Sequence, residues 1–245
     1  MKPKVIFFGS DQYSQIVLDL LKKDQRWQIV KSLEEKPDVG ILASYGQILK
    51  KEVLEKPKHG ILNIHPSLLP KYRGPTPVPT AILNGEQETG VTIFKMDEKI
   101  DHGPILSQFK EEIRPNDTAE SLLKRLFLAG AKVLTTILLS YLEGKIELRE
   151  QDDSQATPTK KFTREDGKIN WQEEPAKIER KIRAFYPWPE TWTEVTIKEE
   201  KKRLKILKAH LENNRLILDQ VQLESKKAVT YKQFKEGYPE AKIVS

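Results

Sequence analysis

A chain of 245 residues, 38% apolar and 32% charged, is long enough for one large domain or for a core plus a small module. It contains no cysteine, which excludes disulfides, thiolate metal sites and a cysteine nucleophile, and suits a reducing compartment. The net charge of +6 lies in one part: residues 1–155 carry 22 Lys and Arg against 22 Asp and Glu, and residues 156–245 carry 20 against 14. A basic second part is either a solvated surface or a face for a polyanion, and composition alone does not separate these.

Val5–Phe8 reads as a buried strand and Gly9-Ser10-Asp11 as a turn. Ile16, Val17, Leu20 and Leu21 recur at helical spacing up to Lys22-Lys23. The four apolar residues near the start are too few for a signal-peptide core, and no run is long enough to span a membrane, so a cytoplasmic protein is expected. The strand–turn–helix opening suggests a Rossmann-like unit, but its single glycine is no dinucleotide fingerprint. Trp27–Lys31 is a candidate short strand and Val39–Ala43 a stronger one, ending at Ser44-Tyr45-Gly46. Ile48–Leu54 reads as a short helix, Gly60–His65 as a strand and Thr80–Leu83 as helical. Gly90–Met96 and Ile105–Glu112 read as strands, and Thr118 opens a long helix to about Tyr141. Alternating β and α elements predict an α/β fold with a mostly parallel sheet and flanking helices.

Gln151–Thr159 is polar and aperiodic and reads as a linker, with the domain boundary near residue 155. A helix is expected from Pro175 to about Phe185. Short strand-like pieces follow at Trp192–Ile197, Leu204–Ala209, Arg215–Val221 and Lys227–Thr230, the pattern of a small β-barrel or barrel remnant. The expected division is therefore 1–155 and 156–245.

Three residues invite a chemical reading. Asn63 and His65 lie two apart at the end of an apolar run, so a strand aims both at one face. Asp101 comes 36 residues after His65, between two strands and two residues before Gly103, where a loop could carry it over the end of the Gly60–His65 strand. An amide, an imidazole and a carboxylate together suit acyl transfer to an amine. The amide donates to a developing oxyanion, the imidazole moves protons, and the carboxylate orients or charges the imidazole. Spacing alone favours a plainer reading, a capped turn with His65 bonded to backbone and Asp101 as a turn residue. His59 and His210 read as structural, His102 as exposed or supporting, and the four His give no metal spacing. Phe185, Tyr186, Trp188 and Trp192 read mainly as packing, since a base-stacking platform needs exposed rings.

The blocks Asn63-Ile64-His65-Pro66-Ser67-Leu68-Leu69-Pro70, Arg73-Gly74, Gly90-Val91-Thr92-Ile93 and Asp101-His102-Gly103 together resemble the 10-formyltetrahydrofolate-dependent formyltransferases. The resemblance implies catalysis by Asn63, His65 and Asp101, with no metal. It implies folate contacts at Ser67, Leu68, Leu69 and Pro70, and at Ser44, Tyr45, Gly46, Asp97 and Ile100, the walls of a pterin pocket. Lys168–Trp171, Ile178–Pro189, Val221–Lys227, Phe234 and Gly237–Pro239 resemble methionyl-tRNA formyltransferases. That likeness implies initiator methionyl-tRNA as acceptor and a C-terminal oligonucleotide-binding-type (OB-like) barrel that holds it. This chain is shorter than such a family member. Only Asp24–Lys36 separates the first helix from Pro37-Asp38-Val39, where the family has a further strand–helix unit and a basic loop, and the barrel is truncated. A monomer is the simplest expectation. The rival readings are a formyltransferase acting on a nucleotide-linked amino sugar and a tRNA-binding protein without catalysis.

Overall fold

The structure, a computed structural model, describes residues 1–244. The chain forms two compact units. The first holds Met1–Val78, Gln87–Ile113 and Ser121–Lys160; the second holds Pro79–Glu86, Arg114–Glu120 and residues 161 onward.

In the first unit, β1 (Lys4–Phe8) runs into α1 (Gln12–Lys23), whose amino end is closed by a capping box. Asp11 Oδ1 accepts from the amides of Tyr13 and Ser14 at 3.0 and 2.9 Å, which satisfies two of the free donors of the first turn. β2 (Gln28–Val30), β3 (Val39–Leu42), α2 (Lys51–Leu54) and β4 (Ile61–His65) follow. The helix expected over Ile48–Leu54 starts only at Lys51, because Lys50 gives no side-chain cap and Ile48 is 83% exposed with no core to meet. α3 (Pro77–Leu83), between β4 and β5 in the chain, falls mostly in the second unit, and β5 (Glu88–Lys95), β6 (Ile105–Glu112) and α4 (Ala119–Leu142) complete the first.

The sheet order is β2-β1-β3-β4-β5-β6. The first four strands are parallel; β5 and β6 are antiparallel to their neighbours. In this register Asn63 faces Phe94, His65 faces Thr92, and Thr92 faces Gln108. Ile64 points away from Asn63 and His65 and meets α4. Leu122, Leu126, Leu134 and Leu138 recur along one buried stripe of that helix. Gly130 lies on the same stripe, and a Cβ there would sit 2.7 Å from Ile64 Cγ2 and 3.0 Å from Val91 Cγ1. The glycine lets the helix approach the strand that carries Asn63 and His65.

In the second unit, α5 (Pro175–Ala184) starts with proline at its first turn and buries Ile178 and Ile182. β7 (Thr191–Ile197), β8 (Glu200–Glu212), β9 (Arg215–Leu223), β10 (Val229–Thr230), α6 (Tyr231–Gly237) and β11 (Lys242–Ile243) follow. The antiparallel order is β10-β9-β8-β7-β11. Asn213 and Asn214 both have positive φ, 48° and 61°, as a two-residue hairpin that matches strand twist requires. Lys198 and Glu199 adopt the same conformation without a favourable residue, so pairing of β7 with β8 imposes it. Val195, Ile197, Leu204, Ile206, Val221, Leu223 and Phe234 form the core. α6 and β11 were not anticipated; Thr230 starts α6 through a capping box with Gln233.

Gly130→Ala tests how closely α4 must approach. Helix propensity predicts a gain of roughly 1 kcal/mol. Because the clash is with a buried β-branched side chain, a net loss of about 1–3 kcal/mol is expected from urea unfolding.

Candidate active site

Asn63 and His65 are 7% and 5% exposed, on one face of β4. Asp101 stands over that face in the loop joining β5 to β6. Its Oδ1 is 3.5 Å from Asn63 Nδ2 and its Oδ2 is 3.6 Å from His65 Nδ1. The three sequence candidates therefore converge, with Asp101 against His65, the last residue of β4. β5 is antiparallel to β4, so its far end lies beside the start of β4, where Met96 N donates to Ile61 O at 2.8 Å. The loop begins there and doubles back across the strand.

The carboxylate is held first by the backbone: Gly74 N donates to Asp101 Oδ2 at 2.7 Å. Asp101 itself has φ +48°, a left-handed conformation that aspartate tolerates better than most residues. Two residues on, a Cβ at Gly103 would lie 1.9 Å from Lys95 O, so the loop closes only with glycine there. His65 Nε2 lies 3.0 Å from Tyr72 O. Nε2 is thus engaged by a backbone carbonyl, whereas Nδ1 faces the carboxylate from 3.6 Å, beyond hydrogen-bond range. The backbone-bonded histidine of the plainer reading and the carboxylate-facing one coexist. Asn63 Nδ2 makes only a contact at the outer limit of hydrogen bonding, which leaves its hydrogens available to a substrate oxygen.

Thr92, opposite His65 and fully buried, fixes the following turn. Its hydroxyl donates to Ser67 O at 2.7 Å and accepts from Leu69 N at 3.1 Å and Gln108 Nε2 at 2.8 Å. Gln108 also donates to Leu69 O at 2.8 Å. Ser67, 0% exposed, gives its hydroxyl to Lys71 O at 2.7 Å, and Leu69 packs with Phe94 and Ile105. Their side chains thus serve the protein interior, and only Leu68 and Pro70 of this turn are partly open. Ser44 is bound by Asp11, Oγ to Oδ2 at 2.5 Å, and Gly46 is exposed with φ +71°. Tyr45 and Met96 join the apolar group of Leu42, Leu54 and Ile61. Asp97 binds His102 Nδ1 at 2.6 Å, and Ile100 is 62% exposed. Lys51 and Glu98, 2.8 Å apart, tie the two loop regions together at the surface.

The polar stretch at Gln151–Thr159 is no free linker. Thr157 N donates to Pro70 O, Arg73 N to Thr157 O at 2.9 Å and Thr159 N to Arg73 O at 2.7 Å, and the Arg73 guanidinium reaches Asp153 Oδ1 at 2.7 Å. Its lack of periodicity reflects pairing of an irregular strap with an irregular loop, which no pattern of apolar residues records. Tyr72 O, Gly74 N, Thr92, Gln108 and the strap were assigned no role from the sequence. For Gly74 and Thr92 the only signal was membership of the Arg73-Gly74 and Gly90–Ile93 blocks.

Of the other histidines, His59 packs edge-on to Tyr141, whose hydroxyl bonds His59 O at 2.6 Å and is pushed up to about 12 by burial. His210 pairs with Asp219 at 2.9 Å. In the second unit Phe185 and Trp192 are buried, whereas Tyr186 and Trp188 are 36% and 57% exposed. Arg164 lies over Trp188 and Arg203 over Trp192, at 5.8 and 4.1 Å. Lys201, Lys202 and Lys205 each face a glutamate, so that basic face is partly neutralised locally.

The sequence profile of the formyl transferases matches residues 5–138, and that of the formyl transferase C-terminal domain matches residues 161–216. The chain belongs to the formyl transferase family. In this formyl transferase, β4 and the loop bearing Asp101 lie within the first match, and β7 and β8 within the second. Methionyl-tRNA formyltransferase of Chloroflexus aggregans is 52% identical over 167 residues, 68% of this chain and 54% of that protein. The chain spans about half the length of the curated relatives it matches. The solved structure of WlaRD, a sugar 3N-formyl transferase, is 25% identical, with a TM-score of 0.65 over 87% of this chain and 88% of that one. Methionyl-tRNA formyltransferase from Clostridium thermocellum, 21% identical, shares the fold over 90% of this chain and 98% of its own, with a TM-score of 0.69. Among the described residues no helix is long and apolar enough to cross a membrane, and no group of metal-ligating side chains forms.

Thr92→Val removes the hydroxyl while nearly keeping the shape. It strands Ser67 O and Leu69 N in a buried site, and a loss of about 1–3 kcal/mol is expected by urea unfolding. Asp153 supplies a pH prediction. The Arg73 guanidinium holds its carboxyl below the usual 3.8. A depressed folded value contributes stability above the unfolded value, and that contribution is lost as pH falls through the folded value. The amide NMR shifts of Thr157 and Thr159 should stay constant down to roughly pH 4 and move below it. In Asp153→Asn that step should be absent.

Proposed function

We propose that this protein transfers the formyl group of 10-formyltetrahydrofolate to the α-amine of methionyl-tRNA, the initiator species in particular, in the cytoplasm. The observation that carries the reading is the meeting of Asn63 and His65 at the Asp101 carboxylate on a buried strand face. Tyr45 and Met96, half-buried against one apolar group, are suited to a flat heterocycle. The 52% identity to a protein called methionyl-tRNA formyltransferase supports the choice of acceptor.

The folate co-substrate supplies a formyl group on nitrogen. The acceptor amine, neutral, adds to the formyl carbon; the new C–N bond forms, the bond to the folate nitrogen breaks, and the amine proton passes to that nitrogen. Asn63 Nδ2 and His65 Nδ1, the ring nitrogen not bonded to Tyr72 O, donate to the oxygen that gains charge as the amine adds. Such donors act strongly because they are fixed in advance in a site poor in water. Asp101 offsets the ring charge and accepts the proton in transit, directly or through water. In the second unit, exposed Trp188 with Arg164 offers a base a stacking face, and the excess of positive charge there suits a phosphate backbone.

His65→Ala and Asn63→Ala should each lower kcat by about 100- to 1000-fold with unchanged circular dichroism. Retention of wild-type turnover by either variant contradicts the assignment. Likeness to WlaRD over 87% of the chain favours a second acceptor, a nucleotide-linked amino sugar. Parallel assays with initiator methionyl-tRNA, elongator methionyl-tRNA and an amino-sugar nucleotide separate these, and formylation of the sugar alone reverses the choice. With RNA as partner, log affinity should fall linearly with log salt.

A further inference from the structure

We propose that Gln151 is the positioning residue that holds Asp101 in place for formyl transfer. The proposal rests on the role given to Asp101 above. Gln151 Nε2 donates to Asp101 O at 2.9 Å and to Gly103 O at 2.8 Å, while its Oε1 accepts from Arg73 Nε at 3.1 Å and Arg73 Nη2 at 2.8 Å. Two donors and two acceptor positions are all an amide has, and each is used. The orientation is therefore unambiguous: a flipped amide would set its NH2 against the guanidinium and its oxygen against two carbonyls.

These bonds close a ring around Asp101. Its carboxylate takes the amide of Gly74, and its carbonyl is tied through Gln151 to the neighbouring Arg73. Both ends of one residue are thereby fixed to two consecutive residues of the Tyr72–Gly74 turn, which also gives His65 its carbonyl partner. Most other bonds of the loop are either internal to it, such as Asp97 with His102 and with Lys99 N, or exposed, such as Lys51 with Glu98. Gln151 is the side chain that grips the loop backbone at Asp101 itself, where φ is +48°. A carboxylate freed to move by even about 1 Å no longer meets Asn63 and His65 in the arrangement the reaction uses.

Gln151→Glu separates positioning from plain support of the strap. It keeps an acceptor for Arg73, now charged, and so keeps the strap in place; it removes both donors and turns an oxygen toward the carbonyls of Asp101 and Gly103. The assay is formyl transfer from 10-formyltetrahydrofolate to methionyl-tRNA, in wild-type and Asp101→Asn backgrounds. In the wild-type background kcat should fall about ten- to hundredfold while KM for both substrates stays within about twofold. In the Asp101→Asn background the same change should move kcat less than about twofold, since its effect passes through the missing carboxylate. Gln151→Met, neutral and of similar length, should repeat the pattern and stands in if the glutamate variant does not fold. Wild-type kcat in Gln151→Glu, or an equal loss in both backgrounds, overturns the proposal. Full activity of Asp101→Asn instead overturns the role of Asp101, so the two failures are distinguishable.

Discussion

A carboxylate that is only 13% exposed has to be met by donors, and the first unit is arranged around meeting one. Asp101 receives the Gly74 amide, faces His65 and lies at the edge of hydrogen-bond range of Asn63. The surrounding backbone follows from that requirement. Gly74 sits at φ +110°, and a Cβ there would meet Thr159 Oγ1 at 2.8 Å. Asp101 takes a left-handed conformation, and Gly103 passes the Lys95 carbonyl too closely for any side chain. Each of these is locally unfavourable or restrictive. Together they are consistent with a site in which a charge is held before the substrate arrives.

The sheet makes the arrangement possible by changing direction. Among the parallel strands, β3 is apolar and buried throughout, and β4 is equally buried although one of its faces carries Asn63 and His65. The switch to antiparallel β5 gives β4 a neighbour whose exit loop returns across it. The same register brings Thr92 opposite His65 and Gln108 opposite Thr92, which fixes the turn after β4. On the other face, Gly130 of α4 admits the helix against Ile64 and Val91. A polar face and a tightly packed apolar face thus back onto each other within three residues of one strand.

Much of this was legible along the chain. The strands from Val5 to Glu112, the long helix after Thr118 and the hairpins of the second unit follow from runs and spacing that local geometry enforces. Asn63 and His65 could be paired from a period of two alone. Other features were not legible for identifiable reasons. The helix at Ile48 failed because an apolar residue signals burial only when something covers it. Ser67 and Leu69 stand in a folate-like block, but their side chains are taken by Lys71 O and by Phe94 and Ile105. The Gln151–Thr159 stretch had the composition of a linker because its partners are backbone groups and polar side chains.

By itself, the sequence determined the residue types available, the order of elements and the pairing of Asn63 with His65, since these depend on neighbours in the chain and on strand period. The tertiary structure alone decided that the loop bearing Asp101 would return across β4 to reach Asn63 and His65, that Thr92 and Gln108 would hold the adjoining turn, and that Gln151 would reach both Arg73 and Asp101. Those contacts join segments 16 to 78 residues apart. Their geometry is set by strand direction and by the need of buried polar groups for partners, which no local pattern of residues encodes.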